Sequence, residues 1–183
     1  MVASRFGTTV LPVSIRRRLY GPRRRAAYDA CTRAVEPVSV DWLSGACLAM
    51  RTDVLRAIGG LDERFFLYYE DEELCWQAHQ HGDVVYVPHF AVTHVGGASS
   101  ETGATWPHLY RSMLLYFAIH RPSRFHAARA VVFVRACLGL VTAAVRRLLG
   151  QRAGQTRGTA WRQVASIAWS SGSPEALVRG ASR

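Results

Sequence analysis

Short, mainly apolar runs closed by turn-forming residues characterise the middle of the chain. Residues 46–50 form one run, residues 84–87 form a second that ends at Pro88, and residues 91–95 precede Gly96-Gly97. Runs of four or five such residues bounded by Gly or Pro are typical of buried strands. The pattern therefore predicts three short strands in this region.

Two helices are predicted between these runs. The first has an apolar stripe that follows Thr52, a residue type that caps helix N-termini, and it ends at Gly59-Gly60. The second, over residues 70–81, begins with four acidic residues and stops at Gly82. Acidic residues at the start and Gly after the end are both typical of helices.

The pattern becomes helical after residue 100. Pro107 suits the first turn of a helix that runs to Ile119, and Arg121-Pro122 ends it. Residues 125–149 then form a long apolar stretch that contains four Arg. A further helix is predicted through Trp161, and a short last helix follows a Ser-Gly-Ser-Pro break.

The long apolar stretch has two explanations. Its longest charge-free run, residues 136–145, has ten residues, which is half of the roughly 20 needed to span a bilayer. Arg on the flanks with Leu, Val and Phe between them favours an amphipathic helix in the membrane interface. A helix packed on the protein's own sheet explains the pattern equally well.

The net charge of +10 is unevenly distributed along the chain. Residues 1–40 carry eight Arg and two acids, residues 41–100 carry three Arg and nine acids, and residues 101–183 carry twelve Arg and two acids. The two basic arms favour anionic partners, and we expect an anionic membrane surface. We expect no nucleic-acid partner, because no helix-turn-helix, zinc-finger or RNA-recognition pattern occurs.

The four cysteines lie far apart, with no Cys-x-x-Cys pair, so their spacing does not predict a zinc site. Cys47 and Cys75 have apolar neighbours and are predicted to be small buried side chains. The first residues lack the continuous apolar run of a secretory signal, so we expect a cytoplasmic location.

Four consecutive carboxylates, Glu70 to Glu73, are the main candidates for chemistry. The positive end of a helix stabilises anions, so a solvated acidic face is the ordinary explanation. Five aromatic or apolar residues, 65–69, precede them, and His94 follows about twenty residues later. This context favours a pocket that these aromatic and apolar side chains line, with the imidazole of His94 nearby.

Such a pocket suits sugar transfer to an alcohol. The acceptor hydroxyl needs a base within hydrogen-bond reach, which an ionised Asp at a helix start supplies. The departing nucleoside diphosphate needs its charge neutralised, usually by a divalent metal bound to carboxylate or imidazole.

Residues 35–120 contain several motifs that, in their order, resemble family-2 glycosyltransferases of the rhamnosyltransferase-like group. The family motifs Asp-Trp-Leu-Ser-Gly-Ala and Gly-Gly-Phe-Asp-Glu correspond to residues 41–46 and 59–63, with Leu61 in place of Phe. The aromatic run followed by Glu-Asp-x-Asp corresponds to residues 69–73, with Glu73 at the last position.

The resemblance implies roles for individual residues. Asp71 would be the catalytic base, and Glu70 would be its neighbour in the acceptor site. Trp42 would stack on a sugar face, Gly45 would allow a close backbone approach, and Tyr69 would complete the acceptor site. These five residues are the predicted catalytic and acceptor-binding set.

The resemblance also implies a metal ion. A His after the next strands commonly completes the metal site of these enzymes, and His94 of His94-Val95-Gly96-Gly97 corresponds to it. A divalent metal, Mg or Mn, is therefore expected for the complete enzyme.

The implied fold class is α/β: a partial GT-A domain, of the nucleotide-diphospho-sugar transferase-like type, followed by a basic helical tail. We expect a basic, weakly structured arm over residues 1–39, the acceptor-side half of the domain over residues 40–120, and the amphipathic helical tail over residues 121–183.

The nucleotide-binding half is expected to be absent. The chain contains no Asp-x-Asp motif, and about forty residues precede Trp42, whereas three βα units take roughly 100 residues. Either the start site lies upstream or the gene is truncated, and this chain alone is expected to bind a sugar nucleotide poorly.

The resemblance implies an inverting enzyme of cell-envelope polysaccharide synthesis. It would move a sugar such as rhamnose from a nucleoside-diphosphate donor to a glycan or polyprenyl-diphosphate-linked acceptor. The basic tail would hold it at the inner face of the plasma membrane. The alternative is a non-catalytic membrane- or glycan-binding remnant of such an enzyme.

Overall fold

The structure, a computed structural model, describes residues 33–94, 103–151 and 153–181. Most of the predicted basic arm and the Val95-Gly96-Gly97 part of the predicted His motif lie outside these residues. The chain divides into two compact units. The described part of the first unit is residues 33–62 and 70–94, and that of the second is residues 63–69, 103–151 and 153–181.

The first unit contains two short strands and two helices in its described residues. In chain order these are β1 (Val38–Ser39), α1 (Thr52–Ala57), α2 (Glu70–Ala78) and β2 (Val85–Tyr86). The strands pair antiparallel, with Val38 opposite Tyr86. The pairing continues one step further, because the backbone N–H of Val40 donates to the carbonyl of Val84 at 2.8 Å.

Less strand is present than the sequence predicts. Of the three predicted strands, only residues 84–87 are represented, by β2, while residues 46–50 and the described residues 91–94 are not strands. A strand needs a hydrogen-bonded neighbour, and an apolar run does not specify one. The described structure is therefore helix-rich, and it does not by itself establish the extended sheet of an α/β domain.

Both predicted helices of this unit are present. The first ends at Ala57, and Gly59-Gly60 follow it with backbone φ angles of +78° and +85°, which Gly adopts readily. Arg51 and not Thr52 is the N-cap residue, a difference of one position. The second begins at Glu70 as predicted and ends at Ala78.

A small apolar core holds the first unit together. Val40, Cys75 and Val84 are buried in it, and Trp42 packs against it while half-buried. The prediction for Cys75 is thereby confirmed, whereas that for Cys47 is wrong, because Cys47 is exposed. Cys47 belongs to the run that has no strand neighbour to cover it.

The second unit is helical over most of residues 106–181 that the structure describes, and its helices follow the predicted order. It contains α3 (Trp106–His120), α4 (Pro122–Leu148), α5 (Ala153–Ser170) and α6 (Pro174–Ala181). Arg121 separates α3 from α4, which begins at Pro122, and Gly172 lies in the turn between α5 and α6. Within this unit, α4 packs along α5.

Trp161 of α5 is the centre of this helical packing. Its ring lies 4.5 Å from the ring of Trp106 and 5.9 Å from that of Tyr110, centroid to centroid. The guanidinium of Arg135 lies over the same ring, 4.2 Å from its centroid. On α4, a Cβ added at Gly139 would overlap the Trp161 ring, so only Gly allows this close approach.

Candidate active site

The acidic run at the start of α2 is buried, not solvated. Asp71, Glu72 and Glu73 are only 3%, 5% and 3% exposed. Asp and Glu are almost never this buried unless they are paired or hydrogen-bonded, because removal of a carboxylate from water is costly. Consecutive buried carboxylates are therefore better explained by a functional site than by ordinary helix-start preference.

Asp71 is held by backbone N–H groups. Its Oδ2 accepts a hydrogen bond from Gly45 N–H at 3.0 Å, and its Oδ1 accepts one from Glu72 N–H at 3.0 Å. Both donors are rigid parts of the backbone, so they compensate for lost hydration and fix the orientation of the carboxylate. The predicted base is thus oriented from two sides.

Two hydrogen bonds join the segment around Trp42 to α2. Their donors are the backbone N–H groups of Leu43 and Gly45. Leu43 N–H donates to Cys75 Sγ at 3.4 Å, four residues along the helix from the Gly45–Asp71 bond. Burial raises the pKa of the Cys75 thiol, so this sulfur is a neutral acceptor. The structure therefore brings Gly45 to Asp71, although 26 residues separate them.

Gly45 lies beside Asp71, and its predicted close approach to an acceptor stays a prediction. The close approach that it makes is to Asp71, whose Cβ would lie 3.5 Å from a Cβ placed on Gly45. That distance is ordinary van der Waals contact, so a methyl group fits. Toward Asp71, the N–H of Gly45 makes the contact, and a side chain at this position would not block it.

The aromatic residues before α2 pack on the second unit's own helix α3. The rings of Tyr69 and Tyr116 lie 5.5 Å apart, and Ser112 Oγ donates to the carbonyl of Leu67 at 2.9 Å. Tyr69 is 1% exposed, so its ring is a packing element here, and its role toward an acceptor stays a prediction.

Tyr68 and Tyr69 adopt an unusual backbone conformation. Their φ angles are +66° and +68°, in the left-handed region that side-chain-bearing residues rarely occupy. Two consecutive residues of this kind, directly before a buried acidic run, are typical of strain kept at a functional site. Nothing in the sequence predicts this feature, because Tyr has no preference for the left-handed region.

The sequence of these residues matches a known family. The pattern of the family described as "Glycosyltransferase like family 2" matches residues 5–114. The chain belongs to this glycosyltransferase family. The match includes the described Asp71 and Gly45, and it ends within α3.

Relatives with an assigned activity match a shorter part. The chain is 45% identical over 56 residues to N-acetylglucosaminyl-diphospho-decaprenol L-rhamnosyltransferase of Mycobacterium tuberculosis, in strain CDC 1551 / Oshkosh and in strain ATCC 25618 / H37Rv. The match covers 30% of this chain and 18% of the length of each relative. No solved structure matches the chain.

The expected metal site is not formed by the residues that the structure describes. Among them, no three His, Cys, Asp or Glu side chains are grouped so that they could hold a metal ion. His94 is exposed and is the last described residue before position 103. The divalent metal therefore stays a prediction for the complete enzyme.

His79 has a structural role. Its Nε2 lies 3.1 Å from the carbonyl oxygen of Val40 and 3.0 Å from that of Asp41. Because carbonyl oxygens only accept hydrogen bonds, this nitrogen is the donor. The imidazole thus ties the loop after α2 to the residues that lead into the Trp42 segment.

Proposed function

We propose that this chain carries the acceptor-side chemistry of an inverting glycosyltransferase, with Asp71 as the general base. The observation that carries the proposal is the burial of Asp71 at the start of α2, where Gly45 N–H holds its carboxylate. A carboxylate in a fixed orientation can take a proton along one direction, as base catalysis requires.

The proposed reaction is a single displacement. The acceptor hydroxyl loses its proton to an Oδ atom of Asp71, and its oxygen attacks the anomeric carbon of the donor sugar. The bond between that carbon and the diphosphate breaks on the opposite side, so the configuration is inverted and the nucleoside diphosphate leaves with the electron pair. Removal of the proton makes the attacking oxygen more nucleophilic at the moment of bond formation.

The remaining predicted residues have supporting roles in the proposal. Glu70 and Tyr69 neighbour the base in sequence, and Trp42 offers an aromatic face to a sugar ring. Gly45 acts as a positioning residue through its bond to Asp71. His94 stays a proposed metal ligand of the complete enzyme.

We also propose the substrates and the setting. The donor is a nucleoside diphosphate that carries a sugar such as rhamnose. The acceptor is a glycan or a polyprenyl-diphosphate-linked sugar of the cell envelope, and the enzyme acts at the inner face of the plasma membrane. The activity of the Mycobacterium tuberculosis relatives, an L-rhamnosyltransferase that acts on N-acetylglucosaminyl-diphospho-decaprenol, supports this choice. Family membership supports a GT-A-type fold.

A transfer assay with anomeric analysis tests the proposal. The complete enzyme, with its nucleotide-binding half, is mixed with nucleoside-diphosphate rhamnose and N-acetylglucosaminyl-diphospho-polyprenol, and the product's anomeric configuration is read by NMR. We expect an inverted product, and we expect Asp71→Asn to lower turnover by about 10²- to 10⁴-fold, the usual contribution of a general base.

The control is Asp83→Asn, which removes one carboxylate from an exposed position of the same unit and should leave turnover unchanged. Asp71→Asn with wild-type turnover would show that another group is the base. Acceptor binding without any transfer by the wild-type complete enzyme would instead favour the non-catalytic glycan-binding alternative.

A further inference from the structure

The helix α4 has a second apolar face that no described residue covers. Its inward face packs in the second unit and includes Phe125, Ala128, Val132, Ala136, Gly139 and Ala143. A different set of apolar residues is between 39% and 86% exposed, and these residues are Val131, Val134, Leu138, Val141, Val145 and Leu148. We call this second set the outer stripe.

The outer stripe is continuous along the helix. Its members are spaced three and four residues apart in alternation, so they lie on one side of the helix. From the first member to the last, the stripe is about 25 Å long by the helical rise per residue. A contiguous exposed apolar face of this size is uncommon on soluble proteins and marks an interaction surface.

No member of the outer stripe is charged, and the two Arg nearest its first half, Arg129 and Arg135, bind the protein itself. Arg129 donates to the carbonyl of Gly172 at 2.6 Å, and Arg135 lies over the Trp161 ring. The free positive charges stand at the ends of the helix, where Arg124, Arg146 and Arg147 are exposed. An apolar centre with cationic ends is therefore presented outward.

The charges identify the occupant of this face. Residues 101–183 carry twelve Arg and only two acids, so a second copy would bring like charges together at both ends of the stripe. An anionic lipid surface provides the opposite charge and an apolar layer for the stripe. We propose that the outer stripe of α4 inserts into the interface of an anionic bilayer, with α4 parallel to the membrane plane.

The neighbouring helix α5 distinguishes a parallel from a spanning orientation. By length and composition, α4 is long and apolar enough to cross a membrane, and among the described helices it alone meets that criterion. However, α5 packs along it and exposes Thr159, Arg162, Gln163 and Ser166. A spanning α4 would carry these polar groups into hydrocarbon, which is costly, whereas a parallel α4 leaves them in water.

Lipid binding by this face is independent of the chemistry proposed at Asp71, since the outer stripe lies beyond the family match at residues 5–114. Vesicle flotation with the full chain tests it. We expect binding to vesicles of 70% phosphatidylcholine and 30% phosphatidylglycerol, weaker binding at high salt, and little binding to phosphatidylcholine alone.

Two double variants separate the apolar contribution from the charge. Leu138→Glu with Val141→Glu alters the outer stripe, and Gln163→Glu with Ser166→Glu makes the same charge change on the exposed side of α5. We expect the first to weaken binding by more than about a hundredfold, since each lost apolar side chain accounts for roughly tenfold. The second should weaken it by about tenfold or less.

The outcomes that would overturn the proposal are distinct. Absence of binding to the anionic vesicles, or equal loss in the two double variants, would show that the stripe does not insert. Bound protein that resists extraction at alkaline pH would show that α4 spans the bilayer. A stable dimer in sedimentation without lipid, which Leu138→Glu with Val141→Glu dissociates, would assign the stripe to a second copy. Circular dichroism of both variants checks that they are folded.

Discussion

At the scale of single residues, Asp71 illustrates how a backbone group replaces water around a buried charge. The sequence places Asp71 at a helix start, but Gly45 N–H supplies the hydrogen bond that fixes its Oδ2. Hydrogen bonds to charged groups are roughly twice as strong as neutral ones. Loss of this donor should therefore affect both folding and the orientation of the proposed base.

Gly45→Pro removes that donor. We expect the free energy of unfolding to fall by about 1.5–3 kcal/mol, because Asp71 Oδ2 loses a partner in a buried position. Urea denaturation measures the change. Gly45→Ala keeps the N–H, and its Cβ has room at 3.5 Å from Asp71 Cβ, so it should be nearly neutral. Equal effects of the two substitutions would show that the N–H is unimportant.

Tyr110 makes the stability of the helical unit sensitive to alkaline pH. Burial raises the pKa of Tyr110 to about 12, against its ordinary value of 10, although the charge of Arg135 acts in the opposite direction. The folded state holds the phenolic proton more tightly than the unfolded state. The contribution of Tyr110 is therefore complete below pH 10 and is lost as the pH rises from about 10 to about 12.

We expect wild-type protein to lose about 2–3 kcal/mol more than Tyr110→Phe across that pH range, since each pKa unit corresponds to about 1.4 kcal/mol. Chemical denaturation at pH 9 and at pH 12 measures the difference for both proteins. Parallel pH dependence of the two would contradict the expected role of Tyr110. Phe keeps the ring against Trp161, so packing is matched.

At the scale of elements, the packing of α4 on α5 depends on one small residue. Gly139 lets the Trp161 ring approach the backbone of α4, and a Cβ there would overlap that ring. The two helices must separate, or Trp161 must leave its place beside Trp106, when Gly139 is replaced. Overpacking of this kind costs about 1–3 kcal/mol.

Gly139→Ala should thus lower the free energy of unfolding by about 1–3 kcal/mol, in spite of the better helix propensity of Ala. Gly158→Ala on α5 is the matched control, because its Cβ would lie 3.7 Å from Ala143 Cβ in ordinary contact. There we expect an increase of up to about 1 kcal/mol. Thermal unfolding distinguishes the two, and a stabilising Gly139→Ala would contradict the packing described.

At the scale of the whole molecule, the proposed chemistry and the proposed lipid binding belong to two different parts of the chain. The acidic centre, residues 41–100, holds the proposed base, and the basic helical part beyond residue 100 holds the outer stripe. The chain spans 18% of the length of the curated relatives it matches, so we propose the combination of transfer by the first part and lipid attachment by the second only for the complete enzyme.

Sequence pattern was sufficient for the helices and insufficient for the strands. Helices α2 to α6 follow from residues close in sequence, such as the acids at Glu70 and the break at Pro122, because helical hydrogen bonds join residues four apart. Strand pairing joins distant residues, as Val38 and Tyr86 show. For the same reason, the run at residues 46–50 was wrongly predicted to be a strand.

The sequence by itself determined the family, the helical second half and the identity of the candidate base, because motifs, helical periodicity and charge are local properties. The tertiary structure alone decided that the carboxylates at residues 71–73 are buried, that Gly45 serves Asp71, and that α4 keeps an outer stripe after packing on α5. Burial and hydrogen bonding between distant residues depend on which surfaces meet when the chain folds, and spacing along the chain does not specify that.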